Sequence, residues 1–279
     1  MLKKRFLFFT ICLLGIIVVG RFLYKKQARK AVMQGRVIIF DGASSSGKSS
    51  VIKHLLPMLD DSYQSVAIDD FVTQVFIEQQ TLQLPEEEFF ARVDKQTDVM
   101  YKKIRALVAS GKNVILDTVL SGLKGEESVK EQLEKLKGLP VTMVLVHCPL
   151  SVLIERIEKR NEQAIRENKH KNERSIGTAL SQFGHIYRPR TKDEESSMGY
   201  LSRKKVEDAC AMAEKEWGKN IERFEQFKAW LLSQLELKDK KTVTLTTRLK
   251  YDCIVDSSKR TPQECAQLIR KNIKKDFNR

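Results

Sequence analysis

The chain has 279 residues, enough for one large domain core or two modest ones. Its formal net charge is +14, but positions 1–36 hold nine Lys or Arg residues and no acid. Taking those nine from the total of 50 leaves 41 basic against 36 acidic residues, a net charge of +5 for the rest of the chain. That balance gives little support to nucleic-acid binding, and we expect no nucleic-acid partner. The five cysteines show neither a C-x-x-C pair nor zinc spacing, which predicts free thiols in a reducing compartment.

The first segment, residues 1–30, predicts a membrane anchor with a basic flank. An uncharged run from Phe6 to Gly20 spans roughly 22 Å as a helix, short of a hydrocarbon core of roughly 30 Å. Residues 22–24 extend the run if Arg21 snorkels. No small-x-small cleavage site follows, which favours an uncleaved single-pass helix over a signal peptide. Three basic residues precede the run and five follow it closely, so the positive-inside rule places the remaining chain in the cytoplasm.

Apolar runs and helical periodicity alternate along residues 31–279, which we interpret as one domain. Strands are predicted over Val37–Phe40, Ser65–Ile68, Asn113–Leu116, Val141–Val146 and Cys253–Val255. Helices are predicted over Ser49–Leu59, Glu86–Ser110, Glu126–Lys137 and Ser151–Asn168, with a last helix capped by Thr261. Residues 189–248 are highly charged and predict one or two inserted helices. Short buried strands alternating with helices indicate an α/β fold with a parallel sheet covered on both faces.

One loop carries the strongest functional signal. Gly42, Gly47, Lys48 and Ser49 complete the pattern G-x-x-x-x-G-K-[ST] between a predicted strand and a predicted helix, the context that a phosphate-binding loop requires. Glycines let backbone N–H groups converge on phosphates, and the helix N-terminus adds partial positive charge. Lys48 is expected to reach the outer phosphates, and the Ser49 hydroxyl to bind Mg²⁺. The predicted ATP-binding residues are Gly42, Ala43, Ser44, Ser45, Ser46, Gly47, Lys48, Ser49 and Ser50.

Acidic residues follow three of the predicted strands: Asp41, then Asp69 and Asp70, then Asp117. The carboxyl ends of parallel strands line the ligand crevice, where an aspartate can bind a metal or take a proton from a hydroxyl. Asp69, directly after its strand, is the better candidate base, whereas Asp70 could instead cap the following helix. Asp117 is a candidate for the metal or for acceptor binding.

Two arginines, Arg156 and Arg160, lie four residues apart on one face of a predicted helix after the fourth strand. In small kinases such a helix closes over the nucleotide and supplies arginines to the transferred phosphoryl group. The alternative is a solvated helix with internal ion pairs, because Glu155, Glu158 and Glu162 are neighbours.

Several stretches, in this order, resemble the chloramphenicol phosphotransferase family, a branch of the P-loop kinases. They are IIFDGASSSGKSS, VAIDDFVTQVF, NVILDTVL, VLVHCPLSVLIERIEKR, GTALSQFGHIY and YDCIVDSSKRTPQECAQLI. The resemblance implies a three-layer sandwich with a central parallel sheet and a helical lid. It also places the catalytic base on Asp69 and a glutamine of the segment after the lid on Gln182, which we expect to contact the acceptor.

The chain departs from the family pattern in two places besides the membrane segment. Asn161, Glu162 and Gln163 stand where the family usually has a Gly-Asp-Arg run, so a lid arginine is either missing or replaced by Arg166 or Arg174. About sixty residues are inserted between Tyr187 and Tyr251. An insertion near the pocket mouth could change the acceptor without affecting ATP binding.

The sequence therefore predicts an ATP- and Mg²⁺-dependent phosphotransferase acting on a hydroxyl of a small molecule. Another kinase of the same fold, for nucleotides, shikimate-like compounds or polynucleotides, is an alternative. A GTPase is disfavoured, since no N-K-x-D motif occurs. The third hypothesis is a membrane-tethered nucleotide-binding scaffold with little catalysis, whose inserted helices contact a protein partner.

Overall fold

The structure, a computed structural model, describes residues 35–120, 126–168, 175–191, 198, 200–217, 221–237 and 239–277. The predicted membrane helix lies outside these residues and stays a prediction. Within the described ranges, no helix combines the length and the apolar character that crossing a bilayer requires.

Five parallel strands form the central sheet. In chain order they are β1 (Val37–Asp41), β2 (Tyr63–Ala67), β3 (Asn113–Asp117), β4 (Val141–His147) and β8 (Cys253–Asp256), and their spatial order is β2-β3-β1-β4-β8. The strand that carries the glycine-rich loop, β1, is therefore central, and its five residues are all buried. The α/β fold with a central parallel sheet is confirmed.

Helices cover both faces of this sheet because alternate strand residues point to opposite sides. On one face α1 (Lys48–Leu55) and α9 (Pro262–Phe277) pack against Ile38, Phe40 and Val144. On the other face α3 (Glu86–Ala109) and α4 (Glu126–Glu134) pack against residues that include Val37, Ile39 and Leu116. Each fully buried side chain of this size contributes about 1.5–3 kcal/mol through its transfer from water.

Two predicted boundaries differ from the structure near the site. β2 ends at Ala67, and Asp69 is the first residue of α2 (Asp69–Leu82), so Asp69 does not directly follow the strand. Ile68 occupies the N-cap position without any side-chain cap, so the prediction that Asp70 caps a helix starting near Phe71 is wrong. The helix predicted to reach Leu59 ends at Leu55 and continues as a 3₁₀ turn over Leu56–Met58, because the proline in that turn cannot extend an α-helix.

The helices that follow β4 lead into the insertion. They are α5 (Leu150–Arg166) and α6 (Ile176–Ile186), followed by β5 (Tyr187–Pro189), β6 (Tyr200–Ser202), α7 (Arg203–Trp217), α8 (Ile221–Gln234) and β7 (Thr242–Thr247). The sequence predicted only helices for this region, but β5, β7 and β6 form an antiparallel sheet. These strands are short and lie next to charged segments, so the sequence pattern did not reveal the alternation of inward- and outward-facing residues that is typical of a strand.

The apolar residues of the insertion are buried within the chain. Val206, Cys210 and Leu231 join Leu145 and Leu153 in one core cluster, so α7 and α8 pack on α5, α6 and the end of β4. The insertion therefore extends the main core. The predicted protein partner at these helices stays a prediction.

The last helix begins as predicted. Thr261 Oγ1 accepts a hydrogen bond from the N–H of Glu264, and the Glu264 carboxylate accepts from the N–H and hydroxyl of Thr261. This capping box, with Pro262 at the first helical position, fixes the chain where β8 turns into α9.

Candidate active site at the phosphate loop

The loop between β1 and α1 adopts a conformation that needs glycine at two positions. Gly42 has φ +152° and Gly47 has φ +99°, where side chains are rarely tolerated. A Cβ on Gly42 would lie 2.7 Å from the carbonyl oxygen of Val146 on the neighbouring strand. These two glycines let the chain turn tightly from the buried strand into the helix, so that the first N–H groups of α1 open onto the loop.

Lys48, the first residue of α1, folds back over the loop. Its Nζ donates hydrogen bonds to the carbonyl oxygens of Gly42 at 2.7 Å and of Ala43 at 3.4 Å, and its side chain is buried. A buried cation held by loop carbonyls can exchange those contacts for phosphate oxygens without crossing the protein interior.

Ser49 and Asp117 meet beside Lys48. The Ser49 hydroxyl donates to Oδ2 of Asp117 at 2.7 Å, which joins the start of α1 to the end of β3. Burial raises the pKa of Asp117, the charge of Lys48 and the Ser49 hydrogen bond oppose that rise, and the charges of Asp69 and Asp70 add to it. Ala67, the last residue of β2, pairs with Asp117, and the Ile68 N–H donates to the Asp117 carbonyl at 2.9 Å, so Asp69 and Asp70 at the start of α2 lie close to the end of β3.

Asp69 and Asp70 stand exposed in the first turn of α2. The Thr73 hydroxyl donates a hydrogen bond to the backbone carbonyl of Asp69, so this contact does not involve the Asp69 carboxylate.

Asp41 has a structural role that sequence reasoning did not assign. Its buried carboxylate accepts hydrogen bonds from the N–H groups of Gly42 at 2.8 Å and Leu120 at 3.0 Å, and from the Tyr251 hydroxyl. Burial raises its pKa, while these hydrogen bonds and the charge of Lys48 oppose the rise. The signal was an aspartate at the end of an apolar strand, but two of its three partners are 79 and 210 positions away.

Arg156 contacts the underside of the loop. Its guanidinium donates to the carbonyl of Ser46 at 3.1 Å and to the hydroxyl and carbonyl of Ser257 at 2.9 and 2.6 Å. Ser257 also donates its hydroxyl to the Ser46 carbonyl at 2.7 Å. Arg156 thus links α5 and the segment after β8 to the loop, a link that the spacing of the arginines could not predict.

Arg160 is exposed one turn further along α5, and its phosphoryl contact stays a prediction.

Gln182, on α6, also contacts the loop. Its Oε1 accepts a hydrogen bond from the backbone N–H of Ser44 at 2.6 Å. The predicted acceptor-contacting residue is therefore next to the phosphate loop, and its contact with an acceptor stays a prediction.

The residues present fit a nucleotide with Mg²⁺. Ser45 and Ser46 each bury a hydroxyl oxygen that has no hydrogen-bond partner among the described residues. Phosphate oxygens can satisfy such groups together with the N–H groups at the start of α1. The oxygen pair of Ser49 and Asp117 is the donor set that Mg²⁺ prefers.

A parallel sheet with a glycine-rich loop on its central strand, a buried loop lysine and an adjacent Ser–Asp oxygen pair defines a nucleoside-triphosphate-binding protein of the P-loop class. Residues 35–217 match the family model of the chloramphenicol phosphotransferase-like proteins. The chain belongs to this family, which supports a nucleotide-dependent kinase. A comparison with curated proteins finds no match.

Solved structures similar to the chain include three proteins described as kinases. A kinase from Chloroflexus aurantiacus described as putative has 13% identity and a TM-score of 0.43, over 87% of this chain and 97% of that one. An APS kinase of Mycobacterium tuberculosis has the same identity and TM-score, over 86% and 98%. A thymidylate kinase of Candida albicans again has 13% and 0.43, over 88% and 93%. The family assignment comes from the sequence match and not from these likenesses.

Proposed function

We propose that the protein transfers the γ-phosphoryl group of ATP to a hydroxyl of a small molecule. The observation that carries the proposal is the Ser49–Asp117 contact beside Lys48, with Asp69 and Asp70 within electrostatic reach of Asp117. A loop that only bound nucleotide would not need acids from two further elements at its mouth.

The residues divide the work between binding and proton transfer. Lys48 and the N–H groups at the start of α1 bind the phosphates, while Ser49 and Asp117 would hold Mg²⁺. The metal, when bound, neutralises charge on the phosphates. Asp69 takes the proton of the acceptor hydroxyl, whose oxygen forms the new P–O bond as the bond to ADP breaks. Arg160 stabilises charge on the transferred group, and Gln182 orients the acceptor near Ser44.

We also propose that residues 1–30 anchor the protein in the membrane by a single helix, with the kinase domain in the cytoplasm. The uncharged run between two basic clusters supports the anchor, and the need for ATP supports the cytoplasmic side. Carbonate extraction of membranes tests it: the full chain stays in the pellet, whereas a peripheral protein is released.

The activity test uses the full chain with ATP, Mg²⁺ and a panel of hydroxylated small molecules that includes chloramphenicol. We expect ADP release and one acceptor whose mass rises by one phosphoryl group, both lost in Lys48→Ala and Asp69→Asn. Ser110→Ala, at the exposed end of α3, is the matched control and keeps full activity. Tight ATP binding without transfer to any acceptor would contradict the kinase and favour the nucleotide-binding scaffold.

A further inference from the structure

A cavity of about 460 Å³ lies at the β8 edge of the central sheet. The end of β4 and the start of α5 form one wall, through His147 and Leu150. The insertion forms another, through Leu201, Lys205 and Leu245. Without the insertion this cavity would be an open sheet edge.

The cavity is separate from the phosphate loop and from Asp69. No residue of the loop, positions 42–50, lines it. Asp69 follows β2 at one edge of the sheet, whereas the cavity adjoins β4 and β8 at the other. At about 4.8 Å per strand, the four steps from β2 to β8 amount to roughly 19 Å, too far for an acceptor to reach both.

The charged groups that line the cavity are mostly cationic. Lys205 and Arg260 have no ion-pair partner within the part of the chain that the structure describes. Among the described residues of the lining Asp256 is the one acid, and its carboxylate lies 3.5 Å from Lys259 Nζ. That carboxylate already accepts two hydrogen bonds from Ser258.

Further groups add to the positive potential and supply apolar surface. The cavity includes Pro149, the N-cap of the 17-residue helix α5, where the helix dipole favours anions. His147, which also lines the cavity, is held in place by a hydrogen bond of 2.7 Å between its Nδ1 and the Tyr187 hydroxyl. Phe183 and Ile254 join the two leucines of the insertion to make an apolar floor.

We propose that this cavity binds a small amphipathic anion. Its acidic group lies between Lys205 and Arg260, and its apolar body packs on Leu201, Leu245 and Ile254. The cavity volume falls within the range of about 300–1,000 Å³ that is usual for small-molecule sites. The site goes beyond the proposed kinase activity, because it uses no residue of the phosphate loop.

The first experiment titrates the full chain, saturated with ATP and Mg²⁺, with the apolar sulfonate probe anilinonaphthalene sulfonate, followed by fluorescence. We expect saturable binding that ATP does not displace. Replacing both cations, Lys205→Gln with Arg260→Gln, should weaken it about tenfold or more, since two charged contacts are lost. The matched control, Lys204→Gln with Lys250→Gln, removes two exposed lysines outside the cavity and should leave the affinity unchanged.

A neutral probe and a variant with a larger side chain in the cavity distinguish charge-dependent binding from nonspecific apolar binding. N-phenyl-1-naphthylamine, which lacks the sulfonate, should bind the double variant as it binds the parent chain. Ile254→Trp enlarges a side chain that is 43% exposed and should weaken both probes, whereas Ile165→Trp, at a residue 58% exposed, should weaken neither. Thermal unfolding checks that each variant is folded.

Three results would overturn the proposal. The first is competition between ATP and the sulfonate, which would place the probe at the phosphate loop. The second is equal loss of the sulfonate and the neutral probe in the Lys205/Arg260 variant. The third is unchanged binding in both that variant and Ile254→Trp.

Discussion

The Ser49 hydroxyl donates a hydrogen bond to Oδ2 of Asp117 at 2.7 Å, across 68 positions of the chain. The contact exists because β1 and β3 are neighbouring parallel strands, so their carboxyl ends lie side by side at the same end of the sheet. It brings a loop hydroxyl and a strand-end carboxylate together as one oxygen-ligand pair for a hard cation.

Loss of the Ser49 hydroxyl should weaken Mg²⁺-dependent activity. We expect Ser49→Ala to reduce apparent metal affinity by about 10- to 100-fold, a typical effect of losing a group of the ligand shell. Ser49→Thr keeps the hydroxyl and should keep most activity. The measurement is the Mg²⁺ dependence of kcat/KM. An equal loss of apparent Mg²⁺ affinity in the Ala and Thr variants would show that the Ser49 hydroxyl is not the group that binds the metal.

Replacing the proposed base should affect chemistry and not nucleotide binding. Asp69→Asn is expected to lower kcat by about 10²- to 10⁴-fold with ATP affinity unchanged, because proton transfer is lost while the phosphate contacts remain. Asp70→Asn changes the adjacent acid and is the comparison; it should lower kcat only a few-fold. Full activity of Asp69→Asn together with an inactive Asp70→Asn would reassign the base.

The Arg156 link should matter for both stability and nucleotide binding. Arg156→Gln removes the contacts to Ser46 and Ser257, and we expect a loss of about 1–3 kcal/mol in the free energy of unfolding together with weaker ATP binding. Lys159→Gln, which breaks an exposed pair with Glu155 on the same helix, is the control and should change neither. Denaturant unfolding and ATP titration test this. A variant with full stability and lower kcat would instead indicate a direct catalytic role for Arg156.

A negative charge at Gln182 should weaken ATP binding. Gln182→Glu keeps an oxygen acceptor for the Ser44 N–H but places a carboxylate beside the predicted phosphate position, so repulsion should raise the Kd for ATP. The increase should shrink at high salt, because part of it is screened. Gln163→Glu makes the same change on an exposed site of α5 and should have no effect. Unchanged ATP affinity in Gln182→Glu would place the nucleotide away from Ser44.

The pH dependence of stability should contain a contribution from His147. Burial lowers the pKa of this ring below its usual value of 6.5, and the charge of Asp256 opposes that effect. The unfolded chain therefore binds a proton below pH of about 6.5 that the folded chain does not, so stability falls as the pH drops through this window. His147→Gln should remove that part of the fall, and His54→Gln, exposed on α1, should retain it. Unfolding curves at several pH values decide between them; parallel profiles for the parent and His147→Gln would contradict the assignment.

The sequence was sufficient for the main strands and for the phosphate loop. A buried strand followed by the glycine-rich pattern determines a local conformation, since Gly42 and Gly47 adopt backbone angles that other residues rarely reach. The capping box at Thr261 and Glu264 is equally local. The antiparallel sheet of the insertion was missed because its three short strands pair across long intervening segments.

What the sequence by itself determined is therefore the α/β class, the loop and its lysine and serine, and the acids at the strand ends, because each depends on neighbours within a few residues. Only the tertiary structure decided which distant groups meet: Asp41 with Tyr251, Arg156 with Ser46 and Ser257, Gln182 with Ser44. The order β2-β3-β1-β4-β8 and the position of the insertion produce these contacts and the cavity at the β8 edge. Strand order is a property of the packed sheet, and no local pattern in the chain specifies it.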